Sequence, residues 1–442
     1  MSAPLQHYRQ TFERMQDNLA GAGVPWVARL RGAAMSTFER QGFPDKRVEA
    51  WKYTDLRALD RRVFTPLPAA DLFDTALRPW LFDGEPMHRL VFVDGRFAPQ
   101  LCPLRPLLTG VTLANLAAAL EHEPHQVRAA LEQVPAAERM GFDAMNTAFL
   151  QDGAWLRLEP GVTVEQPIHL LFVNTGRAGE LTSVRNLIQA GPGSSARIIE
   201  SWVALNDAEG LTNTLTEIQL EDHARIEHYT LEEEGDATTH IGGLYVRQAA
   251  ASRLAAHSIS LGGRLVRNDL QVDLDGEGAE CALNGFSFTR GHQHVDNFTR
   301  IEHRRPRTSA GEWYRGILDD RSRSVFTGYI KVHPDAQQTQ AQQSNHSLLL
   351  SRRAEADARP QFEIHADDVQ CAHGCTVGEL DADALFYLRS RALDETGARN
   401  LLIRAFAADV LERMTFEPVR RRVETQLAAR LERHEAAQGM QA

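Results

Sequence analysis

The order of apolar and polar positions divides the chain into three regions. Near the start, apolar side chains recur at helical spacing, at Tyr8, Phe12, Met15 and Leu19 and then, after Pro25, at Leu30, Ala34 and Phe38. This spacing places apolar side chains on one face of a helix. We therefore predict a mostly helical N-terminal region, which we extend over residues 1–152.

Within that region the pattern is mixed beyond residue 60. Residues 91–93 are apolar and run into Asp94-Gly95, which is typical of a strand that enters a tight turn. The apolar run at residues 113–120 predicts a short helix.

The helical period disappears over residues 153–380. Short stretches of alternating apolar and polar residues replace it, as in residues 197–202 and 217–220, and Gly, Asn and Asp separate them. Alternation with a period of two indicates β-strands.

An internal repeat runs through these strands. The small residues Ala196, Ala224, Ser252 and Ala279 each precede a strand-like run, at separations of 28, 28 and 27 positions. A constant period suggests a solenoid whose coils stack. We predict a parallel β-helix in which these four residues stack at one corner, and a β-sandwich, whose hairpins also space turns regularly, is the alternative.

Helical spacing returns over residues 381–442. Asp381 is placed to cap a first helix, and Leu402, Phe406 and Val410 follow one another at a spacing of four. Val423, Leu427 and Leu431 predict a last amphipathic helix.

Charge and composition exclude several classes of protein. The net charge of −11 opposes binding to nucleic-acid phosphates. No stretch approaches the ~20 apolar residues of a membrane helix, and the polar N-terminal sequence lacks a signal-peptide core. We therefore expect a cytoplasmic protein that binds neither membrane nor nucleic acid.

The densest group of candidate ligands lies near residue 370. Alternation along a strand would point Val369, Cys371, His373 and Cys375 to one face. Two thiols and an imidazole suit zinc or iron–sulfur chemistry and leave one position for another ligand. The alternative is that Cys371 and His373 are packing residues.

Other candidates are weaker. His292, His294 and His303 suggest a cupin-like metal site or, alternatively, histidines on strand faces. Cys102 and Cys281 are expected to be packed apolar residues. The chain has no Walker motif, so we do not expect it to hydrolyse ATP.

Three segments resemble the SufB/SufD family of iron–sulfur cluster assembly scaffolds. Residues 49–54, EAWKYT, resemble the "E-x-W-K-Y-T" stretch of the SufD branch. Residues 367–378, DDVQCAHGCTVG, resemble the family's "DDVKCSHGATVG", and residues 385–391, LFYLRSR, look like its "LFYLRSRG". Cys375 and Ala392 depart from the family pattern, which has Ala and Gly at those places.

The resemblance implies a right-handed parallel β-helix between N-terminal and C-terminal helical regions. It also implies a scaffold subunit, not an enzyme, that binds no nucleotide and pairs with SufB through the β-helices. A transient iron–sulfur cluster would form at that interface with His373 and Cys371, and the chain would be able to form a homodimer when alone.

The resemblance further implies that the SufC ATPase docks on the C-terminal helices. The residues we assign to this contact are Phe386, Leu402, Phe406 and Val410, and a truncation after residue 380 should remove it without unfolding the β-helix. Two alternative functions are a β-helix polysaccharide enzyme and a SufB-type subunit.

Overall fold

The structure is a computed structural model that describes residues 3–82, 84–103, 106–131 and 141–439. The helices are α1 (Ala3–Met15), α2 (Pro25–Gln41), α3 (Leu116–His122), α4 (Pro124–Leu131), α5 (Gly141–Ala148), α6 (Ala382–Ser390), α7 (Glu395–Leu411) and α8 (Glu417–Gly439). The strands are β1 (His88–Val93), β2 (Arg96–Phe97), β3 (Val111–Asn115), β4 (Ala154–Leu158), β5 (Ile168–Asn174), β6 (Glu180–Ala190), β7 (Ser195–Ala204), β8 (Gly210–Leu220), β9 (Arg225–Glu233), β10 (Thr239–Gln248), β11 (Arg253–Ser260), β12 (Leu265–Leu274), β13 (Glu280–Thr289), β14 (His294–His303), β15 (Ser309–Leu318), β16 (Arg323–Val332), β17 (Thr339–Leu349), β18 (Glu355–Ile364) and β19 (Val369–Gly378).

The strands form a parallel β-solenoid of about seven turns, as predicted from the repeat. From β4 onward, successive strands alternate between a ten-stranded and a nine-stranded sheet, so each pairs in parallel with the strand two places along the chain. A β-sandwich would instead contain antiparallel hairpins through this region, so that alternative is wrong.

The corners that lead into the ten-stranded sheet repeat one backbone conformation. A residue with positive φ precedes a small, fully buried residue at His223-Ala224, Ala251-Ser252 and Gly278-Ala279, where φ is 62°, 54° and 69°. The N–H of each positive-φ residue donates to a carbonyl of the next coil, at 2.8 to 3.2 Å. The hydrogen-bond ladder therefore continues through the corner. The repeat is visible in the sequence because the buried corner position holds a small residue in each coil.

One of the four predicted corner residues is wrong. Arg225 pairs with Arg253, and Arg253 with Glu280, which places Ala224, Ser252 and Ala279 in one stack. Ser195, however, pairs with Arg225, so the corner residue of that coil is Ser194, and Ala196 lies two residues further along, in β7. The coil that begins there has 30 residues because the connection from β7 to β8 is two residues longer than the equivalent connection from β9 to β10.

Three apolar layers hold the fold together. Side chains from the inner faces of both sheets fill the solenoid. Helices α1, α2 and α5 cover the outer face of the nine-stranded sheet with residues such as Tyr8, Phe38 and Phe142, and α7 and α8 cover the outer face of the ten-stranded sheet. The predicted stripe of the last helix is its buried face, and Tyr8, Phe12 and Phe38 of the N-terminal stripes are buried as well. Leu30 of the predicted α2 stripe is instead 38% exposed.

The N-terminal end of the solenoid is closed by antiparallel strands. Strand β2 pairs with β1 through a two-residue turn in which Asp94 and Gly95 have positive φ, as the sequence indicated, and β3 pairs with β4. The helix predicted over residues 113–120 begins only at Leu116, because Leu113 is part of β3 and pairs with Leu156. Within the described ranges, no helix is long and apolar enough to cross a lipid bilayer.

Candidate site at the open end of the solenoid

The C-terminal end of the solenoid lacks the closure found at the other end. Strands β18 and β19 are the last in their sheets, and within the described part of the chain each pairs with a neighbour on one side only. Most of β19 is exposed, whereas the equivalent strands deeper in the solenoid are largely buried. The end therefore presents two strand edges and the apolar interior between them.

Cys371 and His373 lie at this open end. Val369 and Cys371 pack against the interior core, and the ring of His373 stacks on Phe362 of β18 with centroids 5.1 Å apart and planes 14° apart. Phe362 itself packs against that core. The predicted common face is confirmed for Val369, Cys371 and His373.

Cys375 follows on the same face by strand alternation. It pairs in register with the buried Asn345 of β17 and is itself partly buried. Burial raises the pKa of the thiols of both Cys371 and Cys375, so both are expected to be protonated at neutral pH.

These donors do not make a complete metal site within this chain. A closed zinc site takes four protein ligands, whereas this strand carries two thiols and one imidazole. Within the described ranges, no three His, Cys, Asp or Glu side chains are grouped so that they would hold a metal ion. Strand β19 therefore presents soft donor atoms at the edge of the sheet without a complete set of metal ligands.

Other sequence candidates are dispersed. His292 is exposed, His294 lies 3.2 Å from the hydroxyl of Thr54, and His303 lies 2.8 Å from the hydroxyl of Thr308. His292 and His294 line one cavity, but among the described residues no three His, Cys, Asp or Glu side chains are grouped to hold a metal ion, so a cupin-like site is not supported. Cys281 is buried in the solenoid interior, as predicted for a packing residue.

A buried polar pair lies beneath the candidate site. Glu312, Gln343 and His373 occupy the same register position on β15, β17 and β19. Glu312 is fully buried, and the amide of Gln343 donates to its carboxylate. Burial raises the pKa of Glu312 to about 7. Sequence reasoning missed this pair because only the register between distant strands brings it below His373.

The EAWKYT segment, residues 49–54, packs on the outer face of the nine-stranded sheet and contacts its last strand, β18. Glu49 pairs with Arg359 of β18, whose guanidinium also lies over the ring of Tyr53. Trp51 is buried beneath the guanidinium of Arg267, at 4.4 Å from the ring centroid. The motif is therefore a packing element that anchors the N-terminal region to the nine-stranded sheet.

The C-terminal helices place the four predicted partner residues differently. Phe386 on α6 is 75% exposed, and Leu402 on α7 is partly exposed. Phe406 packs against the cluster beneath α7, and Val410 is fully buried in it. This corrects the expectation for Val410, because the side of α7 that carries it faces the ten-stranded sheet and offers no surface to a partner.

Comparison with known proteins identifies the family. Residues 172–406 match the family described as "SUF system FeS cluster assembly, SufBD core domain", and residues 2–66 and 84–170 match "SufBD protein N-terminal region". The chain belongs to the SufBD family. The core-domain match includes most of the solenoid, including β18 and β19.

Three known proteins illustrate the similarity. The chain is similar to the iron–sulfur cluster assembly protein SufD of Escherichia coli, with 30% identity over 89% of this chain and 90% of the relative. It is also 30% identical to an iron–sulfur cluster assembly SufBD family protein of Synechocystis, over 84% of each chain. A chloroplastic protein of Arabidopsis thaliana, ABCI7, is 26% identical over 93% of this chain and 88% of its own.

The buried carboxyl beneath the site predicts a pH dependence of stability. A carboxyl whose pKa rises to about 7 on folding binds more protons in the folded than in the unfolded state between its two pKa values. Its contribution to stability therefore falls as pH rises from about 4.5 to about 7. We expect Glu312→Gln to remove this penalty and to raise the free energy of unfolding above that range by ~1–3 kcal/mol, with little change at the acid end.

Chemical denaturation at several pH values measures this effect. Glu424→Gln, a change at an exposed residue of α8, is the control. It should leave the dependence of the free energy of unfolding on pH unchanged. If Glu312→Gln changed the free energy of unfolding equally below and above this pH range, a raised pKa of Glu312 would be contradicted.

Proposed function

We propose that this chain is a SufD-type scaffold subunit that has no ATPase activity of its own. It pairs with a SufB-type subunit through the open end of the solenoid and helps to build a transient iron–sulfur cluster there as cargo for transfer. A SufC-type ATPase docks on the C-terminal helices. The observation that carries the proposal is the uncapped end, which presents His373 and Cys371 on an edge strand with one free side.

The pairing step follows from the two free strand edges. An exposed edge presents unpaired N–H and C=O groups that another strand is able to join, and most folds protect such edges. Here the end also exposes apolar side chains, with Ile364 at 41% and Val377 at 47%. A second solenoid that joins its own end to this one would cover both the edges and the apolar interior.

The cluster step follows from the incomplete donor set. Cys371 and His373 supply a thiol and an imidazole, which are fewer ligands than a closed metal site or an iron–sulfur cluster takes. If the remaining ligands come from the partner, a small relative movement of the two subunits changes the ligand set, which suits a scaffold that must release its product. Domain movement driven by ATP binding in another subunit is a known type of switch.

The ATPase step rests on exposed apolar side chains around α6. Phe386 is 75% exposed, Tyr387 56%, and Leu401 of α7 48%. A few aromatic anchors of this kind dominate the energy of many helix-in-groove contacts. The opposite side of α7 is buried, so the helix attaches to the solenoid with one face and offers another to a partner.

Pairing at the open end is tested by Val377→Lys. A lysine at this exposed position adds a charge to a surface that pairing would bury, without disturbing the core. We expect co-purification with a SufB-type subunit to be lost, while the thermal melting temperature of the isolated chain stays unchanged. Retained co-purification would mean that pairing uses another surface.

Cluster formation is tested by His373→Ala. His373 is exposed and its contact with this chain is the stacked ring of Phe362, so we expect a small loss of stability. Its loss should leave the assembled complex intact but markedly lower the iron and sulfide bound after anaerobic reconstitution. Cys375→Ala should change little, and Cys371→Ala should lie between them.

The matched control is His365→Ala, which removes an exposed imidazole that bonds to Glu363 on the outer side of the same end. Thermal stability, partner binding and cluster content are measured on the same preparations. A normal cluster yield with His373→Ala would remove His373 from the site.

ATPase docking is tested by a surface substitution, because truncation after residue 380 is unsuitable. Removal of α7 and α8 would expose the apolar outer face of the ten-stranded sheet, including Tyr229, Phe286 and Ile317. We instead expect Phe386→Glu to abolish binding of a SufC-type ATPase in pull-down while SufB pairing is kept. Phe73→Glu changes another exposed phenylalanine, at 81%, and should have no effect; ATPase binding that survives Phe386→Glu would refute the docking site.

A further inference from the structure

A trough of about 1040 Å³ runs along the outer face of the ten-stranded sheet, beside the part that α7 and α8 cover. Its floor follows one register row, in which each residue pairs with the next on the adjacent strand. The row consists of Arg197, Glu227, Ala255, Ala282, Gly311, Gln342 and Ala372. The small side chains in the middle of this row keep the floor low across several coils.

One wall of the trough is aromatic. The ring of Trp313 lies across Gly311, where a Cβ atom would meet the ring at 2.0 Å, so glycine is required there for this arrangement. The guanidinium of Arg413, from the end of α7, lies 3.9 Å from the ring centroid of Trp313. The guanidinium therefore covers one face of the ring, and this contact holds Trp313 and the positive charge of Arg413 beside the trough.

The charges around the trough are unbalanced. Arg197 pairs with Glu227, and Arg253 pairs with Glu280 on the opposite rim. Arg225 on that rim and Arg413 on the aromatic wall have no carboxylate within 4.0 Å in the described part of the chain. A positive excess on a protein whose net charge is −11 indicates an acidic ligand.

The polar groups of the trough match a peptide backbone. Gln340, Gln342 and Gln370 line its end near the candidate site, and all three side chains are exposed. An amide side chain both donates and accepts, as the N–H and C=O groups of an extended peptide require.

We propose that this trough binds an extended, acidic peptide segment of a partner protein, lying along the solenoid axis. Arg225 is on β9 and Trp313, under Arg413, is on β15, three strands further along the sheet. Three strand spacings are ~14 Å, which corresponds to about four residues of extended chain. The segment therefore carries two carboxylates about four residues apart, and its far end reaches Ala372, between Cys371 and His373.

This inference goes beyond the proposed function, and its test needs neither the SufB-type subunit nor the ATPase. The probe is a fluorescein-labelled peptide of Gly and Ser with two Glu residues four positions apart, compared with the same peptide carrying Lys or Gln in their place. Binding to the full chain is measured by fluorescence anisotropy at low and at high salt. We expect the Glu peptide to bind most tightly and its binding to weaken with salt.

Two variants locate the binding. Arg225→Glu changes an exposed rim residue and should weaken binding of the Glu peptide by about fivefold or more. Ala282→Trp fills the floor and should weaken binding of all three peptides. Arg61→Glu reverses an exposed arginine of the N-terminal region, changes the net charge equally and should have no effect.

The proposal is overturned if the Glu and Lys peptides bind equally, or if Arg225→Glu and Arg61→Glu have the same effect. Light scattering on Ala282→Trp adds a separate check. A change in oligomeric state would assign the trough to self-association and would also overturn the proposal. Because Arg225 is exposed, its variant gives a clear result even if Ala282→Trp fails to fold.

Discussion

The pairing of each strand with the next coil determines both the stability of this protein and the position of its candidate site. In a parallel solenoid every coil supplies hydrogen-bonding groups and inward side chains that only another coil satisfies. At the N-terminal end, β2 and β3 turn back as antiparallel partners, and α2, α3 and α4 pack beside β3 and β4. At the C-terminal end no described element does this. The outer edges of β18 and β19 therefore lack a pairing strand in the described part of the chain.

The chemistry at that end is a consequence of the same alternation. Inward positions along β19 carry Cys371 and His373, and one coil deeper they carry Gln343, with Glu312 below it. Deeper coils bury such positions completely, whereas the last coil leaves them accessible from the end. Cys371 and His373 are therefore held by the rigid stack and yet reachable from the end, which is what the shared, temporary site that we propose requires.

The C-terminal helices show a similar division between attachment and exposure. Ile403, Val410 and Leu427 are buried against the ten-stranded sheet, while Phe386 and Leu401 remain exposed nearby. The elbow between α7 and α8 is fixed by Glu227, which accepts hydrogen bonds from the backbone and hydroxyl of Thr415. Because α7 and α8 are anchored to the coils, a partner bound at the exposed side chains would exert force directly on the solenoid.

Local patterns in the sequence determined the coil, its corners and the chemistry of its last strand. The small residues at Ala224, Ser252 and Ala279 predicted the stack because tight corners exclude large side chains, and alternation alone predicted that Cys371 and His373 share a face. Iron–sulfur assembly came from family motifs, which also carried the candidate roles of both residues.

Only the tertiary structure decided which residues of distant segments come into contact. A connection two residues longer shifted Ala196 out of the corner, and only the alignment of β18 with β19 placed Phe362 against His373. The spacing of Leu402, Phe406 and Val410 predicted an amphipathic helix but not whether its apolar side would face a partner or the solenoid. The physical reason is that periodicity records which side chains share a face, whereas the surface that covers that face is set by long-range packing.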